Sequence, residues 1–125
     1  MDTTSAICTL PSRFRAGNVS AAQLVLESGL VENPEALTRV AVANFLAAQP
    51  DVMESWLLWS KDKRTSSGWY LSREGTSFVV GFFPGGPQTT FRNMIDACSE
   101  FILLEAEFIA VDLRSNKSLE RMRES

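Results

Sequence analysis

The sequence predicts an α+β domain: three N-terminal helices, an antiparallel β-hairpin with room for a third short strand, and a long C-terminal helix. Three observations carry this. Apolar residues recur at helical spacing between residues 18 and 60. The period falls to two across "WYLS" and "SFVVGFF". It returns to helical spacing over the long stretch "TTFRNMIDACSEFILLEAEFIAVDL".

Residues 1–17 are polar and broken by Pro11 and Gly17, the pattern of an extended arm in which "AICTL" offers a short edge strand. "NVSAAQLVLESG" then provides Asn18 or Ser20 as a helix cap and Gly29 as the stop. In "ENPEALTRVAVANFLAAQP", Asn33 caps, Pro34 fits the first turn, and Glu35 meets the positive end of the helix dipole. Leu37, Val40, Ala41 and Ala48 make this second helix apolar around most of its circumference, so it should be buried or flanked on two sides. Pro50 ends it. "DVMESWLLWS" is a shorter third helix with Asp51 as cap, and Val52, Trp56 and Trp59 share one face.

"WYLS" and "SFVVGFF" read as the hairpin, with Gly75 supplying positive φ in the turn between them. A hairpin is marginal alone and needs a third strand, a covering helix or both. "PGGPQ" breaks the second strand. The last helix takes Thr89 or Thr90 as its cap. Phe91, Ile95, Cys98, Ile102 and Ile109 form an apolar stripe, widened by Phe101 and Phe108, with Asn93, Asp96, Glu100 and Glu107 opposite. The resulting division is an arm over 1–17, one α+β domain over 18–114, and a charged tail over 115–125.

The chain has 125 residues, 45% apolar and 22% charged, which is the balance of one globular domain. Its net charge is −3 with a pI near 4.9, which disfavours a role in gripping nucleic acid, since phosphate binding needs surplus Lys and Arg. No apolar run approaches the ~20 residues of a membrane helix. "MDTTSAICTLPSRFR" lacks the features of a signal peptide, so a cytoplasmic location is expected. There is no histidine, which removes catalytic triads and His-bearing zinc sites, and Cys8 and Cys98 form no metal-ligand cluster. No cofactor is expected, and Cys98 reads as a small core residue.

Glu105 falls inside the apolar stripe, where a carboxylate is costly unless paired; either Arg64, Arg13 or Arg15 pairs with it, or the helix end there has reached solvent. Lys61, Lys63 and Arg64 follow the third helix, where cations offset the negative end of the dipole. Ser66, Ser67 and Gly68 read as turn residues, with no base nearby to activate a serine. "PGGP" lacks the Gly-Lys-Ser/Thr of a phosphate loop. Both faces of the hairpin carry large apolar groups, Trp69 and Leu71 against Tyr70, and Phe82 against Phe83. An uncovered remainder would form an apolar patch of the kind that marks partner sites. Asp96, Glu100 and Glu107 line the outer face of the last helix and would suit a basic partner. Asp96, Glu100, Glu107, Tyr70 and Phe83 are therefore the candidate partner-binding residues.

At "SWLLWSKDKRTSSGWYL", "FVVGFFPGG" and "FRNMIDACSEFILLE", the chain resembles small bacterial immunity proteins encoded beside polymorphic toxins, including those of contact-dependent growth inhibition. The resemblance covers roughly residues 55–105 and is carried by Trp56, Ser60, Asp62, Lys63, Arg64, Ser67, Gly68, Trp69, Tyr70, Ala97, Cys98, Phe101, Ile102 and Glu105. It implies a non-enzymatic inhibitor that binds the C-terminal domain of a cognate toxin, often a nuclease, and blocks its active site or a nearby surface. It also implies that Trp56, Asp62, Lys63, Arg64, Gly68, Trp69 and Glu105 form a structural motif, in which Arg64 or Lys63 pairs with Glu105 or Asp62 to lock the hairpin to the last helix. The alternative is a non-catalytic adaptor or a homodimerising module. An enzyme built on Glu105 and Arg64 is the weakest reading.

Overall fold

The computed structural model describes residues 1–63 and 67–124, with backbone alone for Lys63 and 116–124. Among these residues the chain forms six α-helices and one three-stranded antiparallel sheet, an α+β fold. Among the described residues, no helix is long and apolar enough to cross a membrane.

The first departure from the expected architecture is residues 1–17, which are helical instead of extended. Helix α1 (Thr3–Cys8) is capped by the Asp2 carboxylate, which accepts the Ser5 N–H at 2.7 Å. Helix α2 (Leu10–Ala16) has Pro11 in its first turn, where a missing N–H costs nothing. Pro11 thus starts a helix and does not break an arm. The apolar run Ala6, Ile7, Cys8 is buried wholesale, and a short run of that kind carries no period that separates strand from buried helix.

Ser20 caps α3 (Ala21–Glu27), and Gly29 follows it with φ +86. A 3-10 turn, Pro34–Ala36, then precedes α4 (Arg39–Ala48). The expected continuous helix from Asn33 is interrupted because Leu37 is extended. Thr38 takes over as cap, accepting the Ala41 N–H at 3.2 Å, while the Asn33 side chain makes no capping bond. Val42 and Leu46 are buried but Val40 is 70% exposed, so α4 is not wholly buried; it is flanked by α6 and by α1 and leaves one face to solvent. Helix α5 (Asp51–Lys63) begins at Asp51 itself.

Strand β1 (Gly68–Glu74) pairs with β2 (Ser77–Phe83), which pairs with β3 (Gln88–Phe91). Glu74 faces Ser77, leaving Gly75 and Thr76 as a two-residue turn. Only Gly75 has positive φ, at +63, the pattern of a type II′ turn. Thr89 and Thr90 lie in β3 and do not cap the last helix. That role falls to Asn93, whose Oδ1 accepts the Ile95 N–H at 2.8 Å, so α6 (Met94–Glu124) begins later than the sequence suggests. Its backbone stays helical through the segment expected to be a tail.

Helix α6 crosses all three strands and packs on α3, α4 and α5. The sheet presents Leu71 and Val80 inward, both nearly inaccessible, while Tyr70, Val79 and Phe83 point to the other face. Trp56 joins three elements at the centre of the core. Its ring meets Phe101 edge-on at 5.8 Å, and its indole N–H donates to the Cys8 carbonyl at 2.8 Å. That bond satisfies a backbone acceptor that the end of α1 leaves open.

Candidate partner-binding surface

The residues expected to form a structural motif divide between core and surface. Trp56 and Glu105 are buried at 1% and 2% exposure. Glu105 Oε2 accepts the indole N–H of Trp59, which α5 presents one turn after Trp56, at 2.9 Å. Trp59 was legible in the sequence only as an apolar ring, yet its N–H is the donor a buried carboxylate requires. Of the cations expected near Glu105, Arg15 meets Asp62 at 3.6 Å and Arg13 meets Glu27 at 4.0 Å. Arg64 and Ser66 lie outside the described residues, as does the side chain of Lys63. Gly68 opens β1 with φ +140, a conformation side chains rarely adopt, and it is buried against Phe83 in the register.

Tyr70 and Phe83, predicted as partner contacts, fall on the same outer face of the sheet. Tyr70 lies across Gly81, its cross-strand neighbour. A Cβ at Gly81 would sit 2.6 Å from the phenol oxygen. Gln88 Nε2 donates to the same oxygen, fixing the ring flat on the sheet. Phe83 is 45% exposed at the end of β2.

The acids of α6 are less free than the sequence implies. Asp96 is exposed in the first turn, but Glu100 is paired with Arg39 of α4. Glu107 is paired with Arg114 at 3.2 Å. Arg114 also donates to the carbonyls of Val31 and Leu30, at 3.2 and 3.3 Å, which ties α6 to the loop after α3.

The sequence missed the apolar surface beside these acids. Phe108, assigned to the core stripe, is 44% exposed, and Val111 is 48% exposed. Phe108 completes a run of edge-on rings, Trp69 to Phe82 at 5.1 Å and Phe82 to Phe108 at 5.9 Å. Trp69 and Phe108, together with Ala22 of α3 and Leu104, border an open groove of about 660 Å³. A second groove of about 400 Å³ lies between α5 and β1, with Glu54, Lys61 and Arg73 giving it mixed charge.

Cys8 and Cys98 are fully buried free thiols, and burial pushes each up to about 12. Neither is a nucleophile at neutral pH, since the thiolate is the reactive form. Among the described residues no group of three or more His, Cys, Asp or Glu is placed to hold a metal ion. No family model matches the chain, and searches of curated proteins and of solved structures find no similar protein.

Proposed function

We propose that the chain is a cytoplasmic immunity protein that binds the C-terminal domain of a cognate bacterial toxin and blocks its active site or a nearby surface, performing no chemistry itself. The observation that supports this most is the half-exposed aromatic and aliphatic surface at the junction of hairpin and last helix. Phe108 and Val111 are each exposed by nearly half, beside Trp69. Apolar residues grouped in this way are the material of protein interfaces, and aromatics dominate their hot spots. The net charge of −3 favours a basic partner and argues against direct nucleic-acid contact. The resemblance over residues 55–105 supplies the identity of that partner as a toxin.

Growth rescue tests the reading. The C-terminal domain encoded by the upstream reading frame is expressed under tight control, with and without this protein. The expected result is killing by the domain alone and restored growth on co-expression, with the two recovered together in a pull-down. A domain that kills regardless, or never kills, rejects the assignment.

A further inference from the structure

Along α6, Leu104, Phe108, Val111 and Ser115 border the larger groove at steps of four, three and four. That alternation is the seam spacing of paired helices, where side chains of one helix enter holes formed by the other. Ala106 and Ala110, on the opposite side of α6, are buried at 2% and 0% exposure, so Phe108, Val111 and Ser115 face away from the core while Leu104 packs at its edge. From Leu104 to Ser115 it runs about 16 Å at a rise of about 1.5 Å per residue, three turns of a partner helix.

Charge selects the partner. Two acids flank the seam at the positions whose charges set partner choice between paired helices: Asp112, exposed on one side, and Glu107 on the other, where it already shares an ion pair with Arg114. Arg114, on the Glu107 side, has its guanidinium committed to the Val31 and Leu30 carbonyls as well as to Glu107. A second copy of the chain would bring the same acids to the seam. A helix with basic flanks would oppose them with complementary charge.

We propose that this groove is the docking site for a basic amphipathic helix of the partner protein. The inference rests on the reading of the chain as a binding protein, and it adds the surface used and the chemistry of the segment bound.

The test uses two synthetic heptad peptides with leucine at the seam positions, one flanked by lysine and one by glutamate, titrated by fluorescence anisotropy against the full chain. The lysine peptide is expected to bind and to weaken with salt, and the glutamate peptide to bind far more weakly. Val111→Arg, at an exposed position, should weaken the lysine peptide by about tenfold or more. Asp112→Lys should narrow the preference between peptides. Equal binding of both peptides, or indifference to Val111→Arg, overturns the proposal. So does light scattering that shows a dimer which Val111→Arg dissolves, because a second copy would then be the occupant.

The growth assay separates this inference from the immunity reading. If the native chain rescues and a folded Val111→Arg variant rescues equally well, the groove is not the toxin site and the proposal falls while the immunity reading stands. If the native chain does not rescue, the immunity reading falls and the peptide titration alone decides the groove.

Discussion

Glu105 is a carboxylate at 2% exposure that accepts the Trp59 indole N–H. A charge so placed is tolerable only while its lone pairs are occupied. Truncation to alanine would strip the part-buried Trp59 Nε1 of this acceptor, and a lost hydrogen bond costs about 0.5–1.5 kcal/mol. Glu105→Ala should therefore lose more stability in urea unfolding than Glu105→Gln, whose amide oxygen can still accept. Equal losses would mean that the bond to Trp59 is not what holds the pair. The thiols make a second residue-scale prediction. Cys8 and Cys98 titrate near 9.0 when unfolded and near 12 when folded, with desolvation as the main cause. The unfolded chain thus releases these protons first, so their contribution is complete below about pH 9 and is lost as pH rises toward 12. At about pH 10.5 each thiol accounts for up to about 2 kcal/mol of that loss. Cys98→Ala should flatten the fall in stability between about pH 8 and 10.5, whatever its cost at neutral pH. An unchanged slope would rule out the buried thiol as its source.

At the scale of elements, the hairpin was legible because three signals agree: a period of two, β-branched and aromatic residues, and a glycine where the turn needs positive φ. Glu74 facing Ser77 across Gly75 is their direct outcome. The third strand was only an option because "QTTF" is short, polar and follows "PGGP"; its pairing to β2 is a tertiary fact that four residues cannot announce. The start of α6 was misread for a related reason. Thr89, Thr90 and Asn93 are all good caps, and β3 claims the two threonines. The overlay of Tyr70 on Gly81 shows how two strands specify each other, because only glycine leaves room for the ring. Gly81→Ala should displace Tyr70 and break its bond from Gln88, at about 1–3 kcal/mol, the usual range for overpacking. In a Tyr70→Ala background the same substitution should cost distinctly less. Additive losses in this double-mutant cycle would mean that the ring and the glycine are not coupled.

The whole molecule differs most from its sequence reading at the N-terminus, because burial there depends on contacts made far along the chain. Thr3 Oγ1 donates to the Ser28 carbonyl, and Cys8 offers its carbonyl to Trp56. Neither partner can be inferred from "MDTTSAICTL" itself. The same long-range packing hid the groove on α6: Phe108 obeys the core periodicity, and only the tertiary arrangement leaves it 44% exposed. The two readings of the N-terminus make opposite predictions for a chain shortened to residues 18–125. An extended arm could be removed at little cost. In the fold described, removal takes Ile7, Cys8 and Leu10 out of the core, each at no more than 1% exposure, and strips Trp56 Nε1 of its acceptor. Truncating even one buried Ile or Leu costs about 2–5 kcal/mol, against a typical total stability of about 5–15 kcal/mol. The shortened chain should therefore lose its near-ultraviolet circular dichroism and its cooperative thermal transition. Asp2→Ala, which removes only the cap of α1, should keep both. A cooperative transition in the shortened chain within a few degrees of the native one would show that the first two helices are peripheral to the core.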